Sequence, residues 1–304
     1  MKNKKKLLVL GGTGFIGYHL IKKCKKIGWD VVSVSKKKPS KEKYISGTTY
    51  IFDDLQKKNI FKKLNKKYDY IVNASGYINN NSKKKYLNNH FQITKKVFTH
   101  FKGSKIKSFI NIGTSAEYGG EGSPQNERTK CTPKSKYGKD KLKCTLFLMK
   151  MYRMKKFPSI IFRVYQAYGP LQETNRLIPI VAKACALNKR FNCSDGKQLR
   201  DFIFIDDLVN AIIKALKNKK AIGNIFNIGS GKKISIKLII QFIQKYFNMG
   251  VPVFGTIKLR SDESNAIYPN ISKAKKILRW NPSNNFKKGL IKTLKFYKRR
   301  YKPK

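Results

Sequence analysis

The sequence predicts an α/β protein, a doubly wound parallel sheet with a smaller C-terminal part. Three observations support this. Leu7-Leu8-Val9-Leu10 runs directly into Gly11-Gly12-Thr13-Gly14-Phe15-Ile16-Gly17, which reads as a buried strand, a glycine turn and the opening of a helix. Through the first half of the chain, short apolar runs alternate with segments of helical period, the pattern of βαβ units. From about Gly169 the pattern changes, and Pro170, Pro179, Pro252, Pro269 and Pro282 punctuate shorter elements.

The elements follow in order. Lys6–Leu10 is a short apolar run and the first strand, with Gly14–Ile27 as the helix behind it. Further strands are expected at Asp30–Ser35, Thr49–Phe52, Tyr70–Asn73, Ser108–Ile112 and Ser159–Arg163. Helices are expected at Ile60–Asn65, Tyr86–Phe101 and Lys136–Arg153, and Pro158 marks the break after the last. Ile225–Ile228, closed by Gly229-Ser230-Gly231, returns to the sheet. A helix over Leu208–Lys217 is expected to be capped by Asp206 or Asp207. On this reading 1–168 and 201–230 form the main domain, and 169–200 with 231–304 the smaller one.

Composition sets limits on function. The 304 residues are 40% hydrophobic and 12% aromatic, enough for a full core in one or two domains. The net charge of +52 is spread from Lys4-Lys5-Lys6 through Lys36-Lys37-Lys38 and Lys83-Lys84-Lys85 to Lys232-Lys233. A dedicated nucleic-acid site clusters its charge, so none is expected, although such a surface draws in an anionic substrate. Cys24, Cys131, Cys144, Cys185 and Cys193 form no C-x-x-C pair, which suits a reducing compartment. No histidine is spaced with cysteines, so no metal site is expected. No apolar run reaches membrane-spanning length, and the basic start leads into a strand rather than a signal-peptide core. The expectation is a cytoplasmic protein without a membrane partner.

The chemistry begins at the glycine turn. A strand, a glycine turn and a helix N-terminus together receive a dinucleotide pyrophosphate, the Rossmann arrangement. Gly11, Gly14 and Gly17 let the backbone turn, approach the phosphates and pack the helix on the strand. Far downstream, Tyr137 and Lys141 lie four apart at the start of a helix, so both project from one face. A tyrosine with a reference pKa of about 10 is a poor acid–base near neutrality, and a neighbouring ammonium brings that value down. Strand two ends Ser33-Val34-Ser35-Lys36-Lys37-Lys38. It lacks the carboxylate that holds an NAD ribose, and a small hydroxyl followed by cations suits the 2′-phosphate of NADP(H), with NAD(H) still possible.

With these motifs the chain resembles the extended short-chain dehydrogenase/reductases that act on nucleotide sugars. Further residues of the resemblance are Gly113-Thr114-Ser115-Ala116-Glu117-Tyr118-Gly119, Tyr168-Gly169-Pro170, Arg200-Asp201-Phe202-Ile203-Phe204-Ile205-Asp206-Asp207 and Leu278-Arg279-Trp280-Asn281-Pro282. The likeness implies a catalytic Thr114, Tyr137 and Lys141. Tyr137 exchanges a proton with the sugar oxygen, Thr114 hydrogen-bonds that oxygen, and Lys141 also holds the nicotinamide ribose. It implies cofactor contacts from Gly11, Thr13, Gly14, Phe15, Ile16, Gly17, Ser35, Lys36, Asp54, Leu55, Ala74, Ser75 and Gly76. Arg200, Arg260, Tyr268 and Gln166 fall where the family meets the nucleotide sugar, Gln166 in place of a common Asn. His90 stands four residues before Thr94, where the family often has Asn, and its role is left unassigned.

Dehydratases of the family place Asp-Glu directly after this Thr, whereas here Ser115 and Ala116 follow and Glu117 is one position too late. What remains is an NADPH-dependent reductase of a 4-keto-6-deoxy nucleotide sugar, in deoxysugar supply for surface polysaccharide, or an NAD-dependent 4-epimerase. A cofactor-binding regulator or RNA-binding relative would be expected to lose Tyr137, Lys141 or Thr114, and all three are present. The resemblance also implies a homodimer through the helices near 86–101 and 136–153.

Overall fold

The computed structural model describes residues 4–57, 59–76, 89–120, 122–259 and 263–301. The first half forms β1 (Lys6–Leu10), α1 (Phe15–Lys26), β2 (Asp30–Ser35), β3 (Thr49–Phe52), β4 (Tyr70–Asn73), α2 (Asn89–Phe101), β5 (Ser108–Thr114), α3 (Lys136–Lys155) and β6 (Ser159–Val164). There follow β7 (Gln166–Tyr168), α4 (Leu177–Ala186), β8 (Arg190–Asn192), β9 (Leu199–Phe204), α5 (Ile205–Leu216) and β10 (Ile225–Ile228). The chain closes with β11 (Lys233–Ser235), α6 (Ile236–Phe247), β12 (Val251–Val253), β13 (Ala266–Ile267), α7 (Ser272–Leu278) and α8 (Phe286–Arg300).

Seven parallel strands make the central sheet in the order β10-β6-β5-β4-β1-β2-β3. The order reverses between β4 and β1, which opens a crevice at the carboxyl ends of the strands. Alternation along each strand sorts the core into two faces. Leu7, Val9, Ile110 and Phe162 pack with Ile21, Leu208 and Ile212 of α1 and α5. Leu8, Leu10, Ile71 and Ile161 pack with Val97, Phe101 and Leu148 of α2 and α3. This is the doubly wound sheet that the sequence predicts.

A second sheet joins β11, β9 and β13, with β7 paired to β9, and β8 pairs with β12 apart from it. Three expectations are corrected. Residues 166–168 and 201–204, placed with the main domain, are hydrogen-bonded into this second sheet, while α5 and β10 beyond them return to the first. An apolar run such as Phe202-Ile203-Phe204 fits either layer, so pattern alone does not assign it. The helix expected over Ile60–Asn65 is a short 3-10 turn, Asn59–Lys63. The start of the helix predicted from Tyr86 lies outside the described residues up to Asn88.

The third correction concerns Asp206 and Asp207. Neither caps α5, whose N-cap is Phe204 with no side-chain bond. Asp207 is buried and its carboxylate accepts from Ser283 N and Oγ and from Asn284 N and Nδ2. Its carbonyl accepts from Trp280 Nε1 at 3.1 Å. One aspartate therefore anchors the segment between α7 and α8 onto the first layer. Asp207→Ala should cost about 2–4 kcal/mol, because several donors lose a buried charged acceptor. Urea denaturation measures this, and a loss under about 0.5 kcal/mol would show that Trp280 suffices.

Candidate active site

The glycine turn joins β1 to α1 as expected. Gly11 N donates to Val34 O at 2.8 Å and Gly14 N to Gly11 O at 3.1 Å. A Cβ on Gly17 would stand 2.3 Å from Gly11 O, so only glycine lets α1 pack this close to the turn. Gly14 caps α1 without a side chain, and α1 has no acidic residue in its first turn. Its N-terminal N–H groups and dipole therefore suit an anion.

Ser35 is buried, and its Oγ accepts from Thr13 N at 3.1 Å, which fixes the turn to the end of β2. Lys36 pairs with Asp54 at 3.1 Å, and Leu55 is buried beside that pair. Asp54 also accepts from Gln56 N. At the end of β4, Asn73 receives Ser75 N and Ser75 Oγ on its Oδ1 and donates to Asn111 Oδ1 at 2.9 Å. That bond sets the Ala74-Ser75-Gly76 segment on the sheet edge.

The predicted catalytic residues meet on the far side of this crevice. Thr114 ends β5 and caps the 3-10 turn Ser115–Glu117, its Oγ1 accepting from Ala116 N. A Cβ on Gly138 would stand 2.5 Å from Ala116 O, so the first turn of α3 lies directly against this cap. Ser135 caps α3 through Gly138 N, and Tyr137 lies half-buried in that turn. Lys141 is buried, donates from Nζ to Ile112 O at 2.9 Å, and stands 6.0 Å from the Tyr137 ring centroid. The strand carrying Thr114 thus also holds the ammonium beside Tyr137.

His90 joins them. Its ring meets Tyr137 edge to face at 5.6 Å, and its backbone N donates to Asp140 Oδ2 at 3.0 Å. Burial pushes the Asp140 carboxyl up, against its bonds from the N–H groups of His90 and Phe91. Asp140 thereby fixes the start of α2 against α3. The register with Thr94, whose Oγ1 donates to His90 O, is the one signal in the sequence that pointed to His90.

Glu117 acts by structure rather than by acid–base chemistry. It is fully buried, with Oε1 accepting from Thr114 N and Oε2 from Thr145 Oγ1 and Arg163 Nε, the last at 3.0 Å. Burial alone would lower the Arg163 pKa, but Glu117, Tyr118 and Cys131 together outweigh it and keep the guanidinium charged. Arg163 lies 4.4 Å from the Tyr118 ring, and burial pushes the Tyr118 phenol up to about 12. Tyr118 OH donates to Asn227 Oδ1 at 2.7 Å, which ties β10 into the same network.

A cavity of about 320 Å³ opens beside the second sheet, lined by Gln166, Gln172, Arg176, Gln198, Arg200 and Glu263 among others. Gln198, Arg200 and Phe202 line it together, as alternation along β9 requires. Arg200 is buried and paired with Glu263, while its neighbour Asp201 points away and accepts from Ser230 N, Ser230 Oγ and Lys232 N. The structure does not bring Tyr268 into this cavity: its ring lies under Lys233, beside Asp201, and its OH donates to Ser123 O. Arg260 lies outside the described residues. Sequence reasoning missed Gln172, Gln198 and Glu263, which carry no motif.

Burial pushes Cys24 up to about 12 and Cys144 and Cys185 to about 11, so these thiols are neutral packing groups. Among the described residues, no group of His, Cys, Asp and Glu could hold a metal ion, and no helix is long and apolar enough to cross a membrane.

A glycine turn at the switch point, with Thr, Tyr and Lys across the crevice, defines a dinucleotide-dependent enzyme of the doubly wound class. The chain belongs to the NAD dependent epimerase/dehydratase family, whose model matches residues 7–229, and is accordingly an NAD(P)-dependent enzyme. It is 26% identical to a CDP-abequose synthase of Salmonella muenchen over 303 residues, 95% of this chain and 97% of that one. It is 26% identical over 212 residues to an uncharacterised UDP-glucose epimerase of Bacillus subtilis, 69% of this chain and 67% of that protein. The UDP-glucuronic acid 4-epimerase of Bacillus cereus, solved with UDP-glucuronic acid and NAD, superposes with a TM-score of 0.89 at 28% identity, covering 97% of this chain and 100% of that one.

Removing the partner of a buried charge is expensive, so Glu117→Ala should destabilise the fold by about 3–5 kcal/mol. The urea midpoint reports it. A change under about 1 kcal/mol would mean that Arg163 finds another acceptor.

Proposed function

We propose that the chain uses NADPH to reduce the 4-keto group of a 4-keto-6-deoxy nucleotide sugar. The observation that carries this is the grouping of Thr114, Tyr137 and Lys141 at the sheet edge, with Ser115 and Ala116 where a dehydratase needs its acid and base. The near full-length likeness to a CDP-abequose synthase supports a sugar-modifying role of this kind.

The residues present fit the cofactor, since an uncapped helix N-terminus behind a glycine turn is a cradle for its pyrophosphate. Gly11, Thr13, Gly14, Phe15, Ile16 and Gly17 would hold the phosphates, Asp54 and Leu55 the adenine side, and Ala74, Ser75 and Gly76 the groove between them. Ser35 and Lys36, with no carboxylate at the end of β2, favour the 2′-phosphate. The cofactor, when bound, supplies the hydride. Tyr137 then gives its phenolic proton to the former keto oxygen, which stays on the sugar carbon as a hydroxyl. Thr114 donates a hydrogen bond to that oxygen, and Lys141, fixed by Ile112 O, orients the tyrosine and the ribose. Arg200 and Gln166 on the cavity wall would receive the diphosphate and the sugar, with the Glu263 pairing opened to free the guanidinium.

A second reading is 4-epimerisation with retained NAD, favoured by the structural likeness to the Bacillus cereus epimerase. Supplying 4-keto-6-deoxy nucleotide sugars of several bases and following the nicotinamide absorbance separates the two. A reductase consumes NADPH stoichiometrically. If none does, while the purified protein carries NAD and interconverts sugar nucleotides, epimerisation replaces reduction.

Tyr137→Phe should lower turnover about 10²–10⁴-fold with cofactor binding nearly unchanged. Near wild-type turnover would assign the proton to another group. At fixed salt NADPH should bind more tightly than NADH, and equal affinities would overturn the preference.

A further inference from the structure

We infer that His90 recharges Tyr137, passing it a proton from solvent after each reduction, so that the imidazole acts through the tyrosine. This role rests on the reductive reading of the site. Stoichiometry sets the need for it. A reductase fixes one proton on the sugar oxygen in every cycle, and Tyr137 is left as phenolate each time. The replacement must come from water before the next substrate is reduced. An epimerase takes a proton from the sugar and returns it to the sugar, so its tyrosine needs no such supply.

His90 is placed to provide one. Its ring meets the Tyr137 ring edge to face at 5.6 Å. A Cβ on Gly76 would stand 2.8 Å from His90 Cε1, 3.4 Å from His90 Nδ1 and 3.7 Å from Lys141 Nζ. Imidazole, ammonium and glycine therefore border one small space beside the tyrosine. Gly76 is exposed and His90 half-buried, so that space opens to water just beyond the end of β4.

The charged surroundings are few. From α3 come Tyr137, Lys141 and Asp140, and the Asp140 carboxylate is committed to the backbone N–H groups of His90 and Phe91. The segment after β4 brings Gly76 and no charge. An imidazole ordinarily exchanges its proton near neutrality, where a phenol and an ammonium do not. The imidazolium gives its proton to the Tyr137 phenolate across water in this space, and the neutral ring takes another from solvent. One proton thus enters from water for each hydroxyl formed on the sugar. His90 is anchored by its main chain, N to Asp140 Oδ2 and O from Thr94 Oγ1, so its side chain can be changed without releasing α2 from α3.

The full chain with ¹³C-labelled histidine gives a first test, with neither sugar nor cofactor present. It has three histidines, and the His90 signal is the one lost in His90→Asn. That signal should titrate between about pH 5 and 8, and a ring locked in one state would overturn the role. Turnover gives the second test. His90→Asn and His90→Ala should lower steady-state NADPH consumption about tenfold, while the first turnover keeps its wild-type rate. Wild-type kcat should fall as pH rises through the neutral range, because only the imidazolium donates, and His90→Asn should lose that dependence. Imidazole added to His90→Ala should restore turnover and do nothing for Tyr137→Phe. A slowed first turnover would show that His90 merely places Tyr137. Full steady-state turnover in His90→Asn, or no rescue by imidazole, would equally overturn the relay. If the wild type consumes no NADPH with any 4-keto sugar, the reductive reading falls and takes this role with it. A variant as fast as an active wild type refutes the role alone.

Discussion

Within the sheet, Glu117 and Arg163 form an ion pair with neither side chain reaching solvent. Isolated, either charge would cost several kcal/mol there. Together, with Thr145, Tyr118 and the Thr114 backbone, they convert that cost into geometry. The carboxylate sets the cap at the end of β5, the guanidinium supports Tyr118, and Tyr118 reaches Asn227 on β10. Thr114, the predicted catalytic residue at the end of β5, is placed by this pair. The residue that cannot serve as a dehydratase acid is the one that locates the threonine.

The second layer is attached by the same device. Asp201 and Asp207 sit in one short motif and bind different loops: Asp201 holds Ser230 and Lys232 where the chain leaves β10, and Asp207 holds Ser283 and Asn284 ahead of α8. Between them run the rest of β9 in one layer and the first turn of α5 on the other. Burial pushes the Asp201 carboxyl up to about 6 despite its N–H donors. These two side chains thus tie the second sheet, whose β7 and β9 wall the cavity, to the segments around it.

Much of this was legible beforehand. The strands of the central sheet fall where alternation and apolar runs put them, because a strand covered on both faces must be apolar throughout. The glycine turn was readable since close backbone approach leaves glycine as the one residue that fits. Tyr137 and Lys141 were found by helical spacing and now stand on one face of α3. What was not legible lay in three dimensions. Nothing in Phe202-Ile203-Phe204 says which sheet it joins. Gln172, Gln198 and Glu263 come together in a cavity from segments with no spacing in common. Asp207 looked like a cap because its partners lie about 75 residues downstream, beyond any local rule.

One consequence follows from where the acids went. The chain has 16 carboxylate side chains against 68 basic ones, and Glu117, Asp140, Asp201 and Asp207 are buried, each committed to an internal contact. The exterior is left with very few counter-charges of its own. Repulsion among its lysines is relieved by dissolved anions instead. Dilute buffer is therefore a mild denaturant for this molecule, and the salt of its surroundings supplies part of what its own sequence withholds.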